Sequence, residues 1–246
     1  MNLQLQPGDK IVVLGDSITQ GVGEGPWYTP YVTAVDVAYT KSAVVVTTPP
    51  HTGVLINAPV AGVVKSDPGY GAKNYAPTVI NAGVFGNTIE QMLARLNTDV
   101  IAQNPTVVIV EGGINDVHNG TDLTTFTTTA NAIIANTQAA LPGVRMMWMG
   151  CFCFGEQYPD PLNATINTYN NIIISACTSG GVAYGDVRTP QQAYEQANNL
   201  PSPGAISGLL CLDNGPGAYG VHPNNTLGIP MWSAVASATT TLNGTP

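Results

Sequence analysis

The chain has 246 residues, of which 44% are hydrophobic and only 9% charged, with a formal net charge of −8. That length suits one large domain, 1–246, with a sizeable core, and the hydrophobic content excludes a disordered chain. Seven scattered Lys and Arg argue against a nucleic-acid partner or an anionic membrane surface, and no apolar run approaches the ~20 residues of a membrane span.

The first expected strand covers 10–14, where Ile11-Val12-Val13-Leu14 runs directly into Gly15-Asp16-Ser17-Ile18-Thr19. In a parallel α/β sheet, reactive groups gather at the carboxyl ends of strands. A serine there is a candidate nucleophile, although it needs a base, and its ordinary alternative is to cap a helix. The elbow GxSxG of the α/β-hydrolases is absent, since Thr19 stands where the second glycine would be. Gly21-Val22-Gly23-Glu24-Gly25 lacks the GxGxxG spacing of a dinucleotide loop.

Between 42 and 75 the pattern changes. Ala43-Val44-Val45-Val46-Thr47-Thr48, a Pro-Pro-His-Thr-Gly turn and an apolar stretch over 54–64 read as a β-hairpin inserted around 43–64. A strand over 78–82 follows, then Asn81-Ala82-Gly83-Val84-Phe85-Gly86-Asn87-Thr88. The spacing of Ile89, Met92, Leu93, Leu96 and Val100 predicts one helix over 88–103. The β-branched run Val107–Glu111 reads as a central strand buried on both faces, and leads into Gly112-Gly113-Ile114-Asn115-Asp116. A helix over 123–140, a strand over 145–150, a helix over 163–178 stopped by Ser179-Gly180-Gly181, and a strand over 182–186 complete the series. The alternation argues for βαβ units and a parallel sheet.

Three histidines are present: His51 in the hairpin turn, His118 just after Asn115-Asp116, and His222 in Gly220-Val221-His222-Pro223-Asn224. Pro223 stiffens the loop beside His222. Cys151, Cys153, Cys177 and Cys211 read as small buried hydrophobes; one or two disulfides remain open, with no pairing set by the spacing. The lack of a CxxC pair with a neighbouring histidine argues against a zinc site.

The blocks around Ser17, Gly86, Asn115 and His222, in that order, resemble the SGNH (GDSL-type) hydrolase family from about residue 10 to about 232. The resemblance implies a three-layer α/β/α sandwich on a flavodoxin-like, mostly parallel five-stranded sheet. It also implies a serine esterase needing no metal or cofactor, with Ser17 as nucleophile and His222 as base. The oxyanion donors would be the backbone N–H of Ser17, the backbone N–H of Gly86 and the side-chain amide of Asn115. Gly86 is preferred over Gly83 because it falls just before the helix opening near Thr88, where free N–H groups collect. Asp16 and Asp116 read as bracing carboxylates.

The chain departs from the family three residues before the histidine, where Tyr219 replaces the usual acid. Asp213 is the candidate acid, since Gly215-Pro216-Gly217 can fold its carboxylate back to the ring. Asp186 is more remote. The alternative is a Ser–His dyad, its ring held by a carbonyl or a polar side chain. The expected function is hydrolysis of short-chain acyl esters, carbohydrate O-acetyl groups included. The rival is a carbohydrate-binding or structural module with impaired catalysis, which the missing acid favours. No signal peptide is visible after Met1, yet the charge-poor, Thr- and Asn-rich composition leans toward an extracellular (secreted) or virion setting.

Overall fold

The computed structural model describes residues 1–6, 9–21, 44–47, 78–152, 161–197, 209, 222–224 and 227–242. Their strands are β1 (Leu3–Leu5), β2 (Lys10–Gly15), β3 (Val44–Thr47), β4 (Thr78–Gly83), β5 (Val107–Glu111), β6 (Arg145–Met149), β7 (Ala183–Gly185) and β8 (Thr240–Leu242). Strands β2 to β7 form one sheet in the order β3-β4-β2-β5-β6-β7, and every pairing is parallel. All five residues of β5 are buried, as a β-branched run with both faces covered requires. The helices complete a three-layer α/β/α arrangement. Leu123–Ala140 buries Phe126, Ala130, Ile133 and Ile134, and packs along Pro161–Gly180, with Phe126 set edge-on to Tyr169 at 4.8 Å. Among the described residues no helix is long and apolar enough to cross a membrane.

Read without its edge strand, the sheet has the flavodoxin-like order. It has six strands rather than five because Val44–Thr47, expected as half of a hairpin, joins the sheet by pairing parallel with β4. The other half of that hairpin lies outside the described residues. A second, two-stranded parallel sheet, β1 with β8, was not expected: three-residue strands are too short to show a period.

The helix expected over 88–103 is broken into Ile89–Ala94, Leu96–Asp99 and a 3-10 turn over Ile101–Gln103. The break falls at Arg95, whose side chain is pulled back toward the sheet. It donates to the carbonyls of Gly15 and Ala82, both at 2.7 Å, and to Asn87 Oδ1 at 2.8 Å. The apolar period survives the break because the short helices still turn the same residues inward. Ile89, Met92, Leu96 and Val100 are all buried.

The topology places one location apart. From β2 the chain crosses to β3 and β4 on one side, then to β5 on the other. The loops leaving the carboxyl end of β2 and of its neighbours therefore diverge there, opening the crevice where such folds bind ligands.

Candidate active site

Strand β2 ends at Gly15, and a one-turn helix, Ser17–Gln20, begins at once. Its N-cap is Asp16, whose Oδ1 accepts from the N–H of Ile18 at 2.9 Å. Capping, the ordinary use of a serine in such a turn, thus falls to the preceding residue, and the Ser17 hydroxyl is left for another partner. That partner is His222: its Nε2 lies 2.8 Å from Ser17 Oγ, across 205 residues of sequence. Both residues are buried. A hydroxyl bonded to an imidazole nitrogen can lose its proton to the ring as the oxygen attacks an electrophile.

The second block forms the turn after β4. Within it the N–H of Gly83 donates to Asn81 Oδ1, that of Val84 to the Gly15 carbonyl, that of Phe85 to Gln20 Oε1 and that of Asn87 to the Val84 carbonyl. The N–H of Gly86 has no partner among the described residues. Gly86 sits at φ +74°, and a Cβ there would meet nothing within 4 Å among the described residues. Its backbone angle alone favours glycine. The next turn starts a helix whose Thr88 and Gln91 cap each other reciprocally.

Asn115 belongs to the first turn of a short helix, Ile114–Asn119, that follows β5. Its Nδ2 donates to the Asn87 carbonyl at 3.0 Å and to Asp16 Oδ2 at 3.3 Å. The third block is therefore tied to both the first and the second. Asp116 accepts from the N–H of Ile89 at 3.0 Å, bracing the start of the helix Ile89–Ala94. Burial raises its pKa to about 6. His118 is exposed at the end of its helix. Asp186 is occupied elsewhere, accepting from the N–H groups of Arg188 and Thr189 at the start of Arg188–Ala197. Cys151 and Cys177 are buried free thiols. Asp213, Tyr219, His51, Cys153 and Cys211 lie outside the described residues.

Two residues escaped the sequence reading. Arg95 clamps the carbonyl ends of β2 and β4, and the only sign of it is a cation interrupting an apolar stripe. Glu111 ends β5 and is fully buried, as is Asp16. Thr19 Oγ1 donates to Glu111 Oε2 at 2.8 Å, a reach that Gly15 makes possible: a Cβ on Gly15 would come within 2.1 Å of that hydroxyl. The Asp16 and Glu111 carboxyls are both buried beneath the Ser17 turn, near enough for the charge of one to bear on the other. Burial first, and then the charge of Glu111, pushes Asp16 well above the carboxylate range. Burial raises Glu111 to about 7. Two buried carboxyls whose pKa values are raised by burial therefore lie under the Ser17 turn. A strand ending in glutamate was visible in the sequence, but its facing carboxylate was not.

Known proteins share this frame. A family model described as the GDSL-like lipase/acylhydrolase family matches residues 13–226. An acetylxylan esterase from Geobacillus stearothermophilus is 27% identical over 139 residues, 52% of this chain and 61% of that relative. The chain thus matches less than two thirds of that relative's length. Among solved structures, an acetylxylan esterase from the same organism superimposes with a TM-score of 0.65 at 20% identity, covering 97% of this chain and 96% of that one. A lipase/acylhydrolase from Enterococcus faecalis does so with a TM-score of 0.62 at 18% identity, covering 92% of each. At these identities the structural likeness establishes the fold.

Proposed function

The chain belongs to the GDSL-like lipase/acylhydrolase family, and from that premise we propose that it is a serine esterase removing short acyl groups, acetyl foremost, from a carbohydrate alcohol. The observation that carries the chemistry is the 2.8 Å contact between Ser17 Oγ and His222 Nε2 at the switch point of the sheet. Ser17 Oγ attacks the ester carbonyl while His222 takes its proton. The tetrahedral oxyanion collapses, the C–O bond to the alcohol breaks, and His222 returns the proton to the leaving oxygen. Water, activated by the same ring, then releases the acid from Ser17.

The oxyanion needs donors already in place. The N–H of Ser17 stands at a helix start, where intrahelical partners are lacking, and the N–H of Gly86 has no partner among the described residues. Asn115 supplies a third donor by exchanging its longer contact, the 3.3 Å bond to Asp16, for the oxyanion. Bonds of this kind are often long before substrate arrives.

The acyl and alcohol classes rest on the 27% identical acetylxylan esterase and on the charge-poor composition, which suits a sugar better than a lipid tail. The same composition favours an extracellular setting. The binding-module reading keeps one observation on its side, Tyr219 at the family's acid position. Turnover of p-nitrophenyl acetate and release of acetate from acetylated xylan, both abolished in Ser17→Ala, would establish the esterase. Sugar binding without turnover would establish the module. In the esterase we assign the ring of His222 to a neutral acceptor, forming a Ser–His dyad. Asp213→Asn then stays within about tenfold of wild type, whereas a loss of several decades would make Asp213 the acid.

A further inference from the structure

Four large hydrophobic side chains are exposed among the described residues: Met1, Phe85, Leu123 and Ile174. Phe85 is the one aromatic ring in that set, and it is 64% exposed. It stands in the Gly86 turn, with its ring centroid 6.2 Å from that of His222 and the planes tilted by 37°. An exposed phenyl ring is ordinary on a surface. One beside a buried histidine that is itself bonded to a serine hydroxyl is placed against the substrate.

The chemistry says which half of the substrate. His222 Nε2 must hand its proton to the leaving oxygen, so the alcohol half of the ester lies on the imidazole side of Ser17. The carbonyl oxygen is directed away, toward Gly86 N–H and Asn115. We propose that Phe85 is the platform on which the alcohol half rests, and that this alcohol is a sugar ring presenting a face of C–H bonds. The inference rests on the serine-esterase reading above. The electron-rich face of the phenyl attracts the weakly positive C–H groups, and the contact removes apolar surface of both from water.

The backbone under the ring is held independently of the ring. The Phe85 N–H is fixed to Gln20 Oε1 at 2.8 Å, Val84 N–H to Gly15 at 3.0 Å and Asn87 N–H to Val84 at 3.2 Å. The platform is thus set before substrate binds, which lowers the cost of ordering it. A long acyl tail would need a continuous apolar channel, and one exposed ring does not make one.

The test compares kcat/KM on an acetylated xylo-oligosaccharide with kcat/KM on ethyl acetate, whose alcohol is too small to cover the ring. Phe85→Ala should lower the ratio of the two by roughly threefold to tenfold, the worth of one aromatic contact. Most of the change should be in KM for the oligosaccharide, and Phe85→Tyr should restore it. An unchanged ratio, whether both rates fall together or neither does, overturns the proposal. So does a change that follows acyl length on a fixed alcohol, since it would put the ring on the acyl side. Calorimetric titration of Ser17→Ala with the same oligosaccharide reads the contact without turnover. Adding Phe85→Ala should weaken that binding by a similar factor, and unaltered binding overturns the platform. A wild type that hydrolyses neither ester yet binds sugar through Phe85 would sink the esterase reading and leave the platform standing.

Discussion

The floor and the rim of this site are built on opposite terms. Beneath Ser17, Asp16 and Glu111 are fully buried, Thr19 and Asn115 are bonded to them, and Arg95 grips the strand ends beside them. At the rim, the Phe85 backbone is held by Gln20 while its ring lies beside His222 and is 64% exposed. A wired floor fixes where atoms stand to within the tolerance that proton transfer demands. A rim ring free of structural duty is open to be chosen by the substrate. Removing floor residues should therefore harm chemistry or folding, and removing the rim should alter only selectivity.

The largest effect tests the centre of the floor. Ser17→Ala and His222→Ala should each lower turnover by about four decades or more, and the double variant should be no worse than either single one. Near wild-type turnover of small esters by Ser17→Ala would remove the nucleophile. Asn115→Ala should cost about two to three decades in kcat, as the loss of one oxyanion donor does. A change confined to KM would place Asn115 in substrate binding instead.

The acidic pair offers a subtler way to separate floor from rim. Glu111 is raised from its ordinary 4.5 to about 7 by burial, so the folded state holds a proton that the unfolded state releases. The stability it confers is complete below pH ~4.5 and is lost as pH rises through the folded value, at up to about 1.4 kcal/mol per pH unit. Glu111→Gln mimics the protonated acid: its amide can donate to Asp16 while its carbonyl accepts from Thr19. Denaturant titrations between pH 5 and 8 should show that Gln variant with a flatter stability profile than wild type. Identical slopes would mean that Glu111 does not hold the extra proton in the folded state. The smallest effect belongs to the rim: Phe85→Ala should change folding stability by no more than about 0.5 kcal/mol, and a clear drop in Tm would show that the ring supports the turn.

Much of this could be read in the chain. The run Val107–Glu111 announced a central strand because burial on both faces leaves no polar period. Ser17, Gly86, Asn115 and His222 were marked by the residues around them. The pairing of Val44–Thr47 with β4 was not legible, because an apolar run bounded by turns looks alike in a hairpin and in a parallel sheet. The helix over 88–103 was drawn unbroken because its apolar period continues through Arg95, and only the carbonyls of Gly15 and Ala82 explain why the backbone gives way there.

What the sequence determined by itself is local: strand and helix periods, the turn glycines, and the residue types able to carry acyl transfer. What the tertiary structure decided is which of them meet. The contact of Ser17 with His222 spans 205 residues, and that of Thr19 with Glu111 spans 92. Neither leaves a trace in local pattern. Parallel pairing brings the ends of β2 and β5 side by side, and burial there raises the pKa values of two carboxyls, Asp16 and Glu111, that would each ionise readily in water.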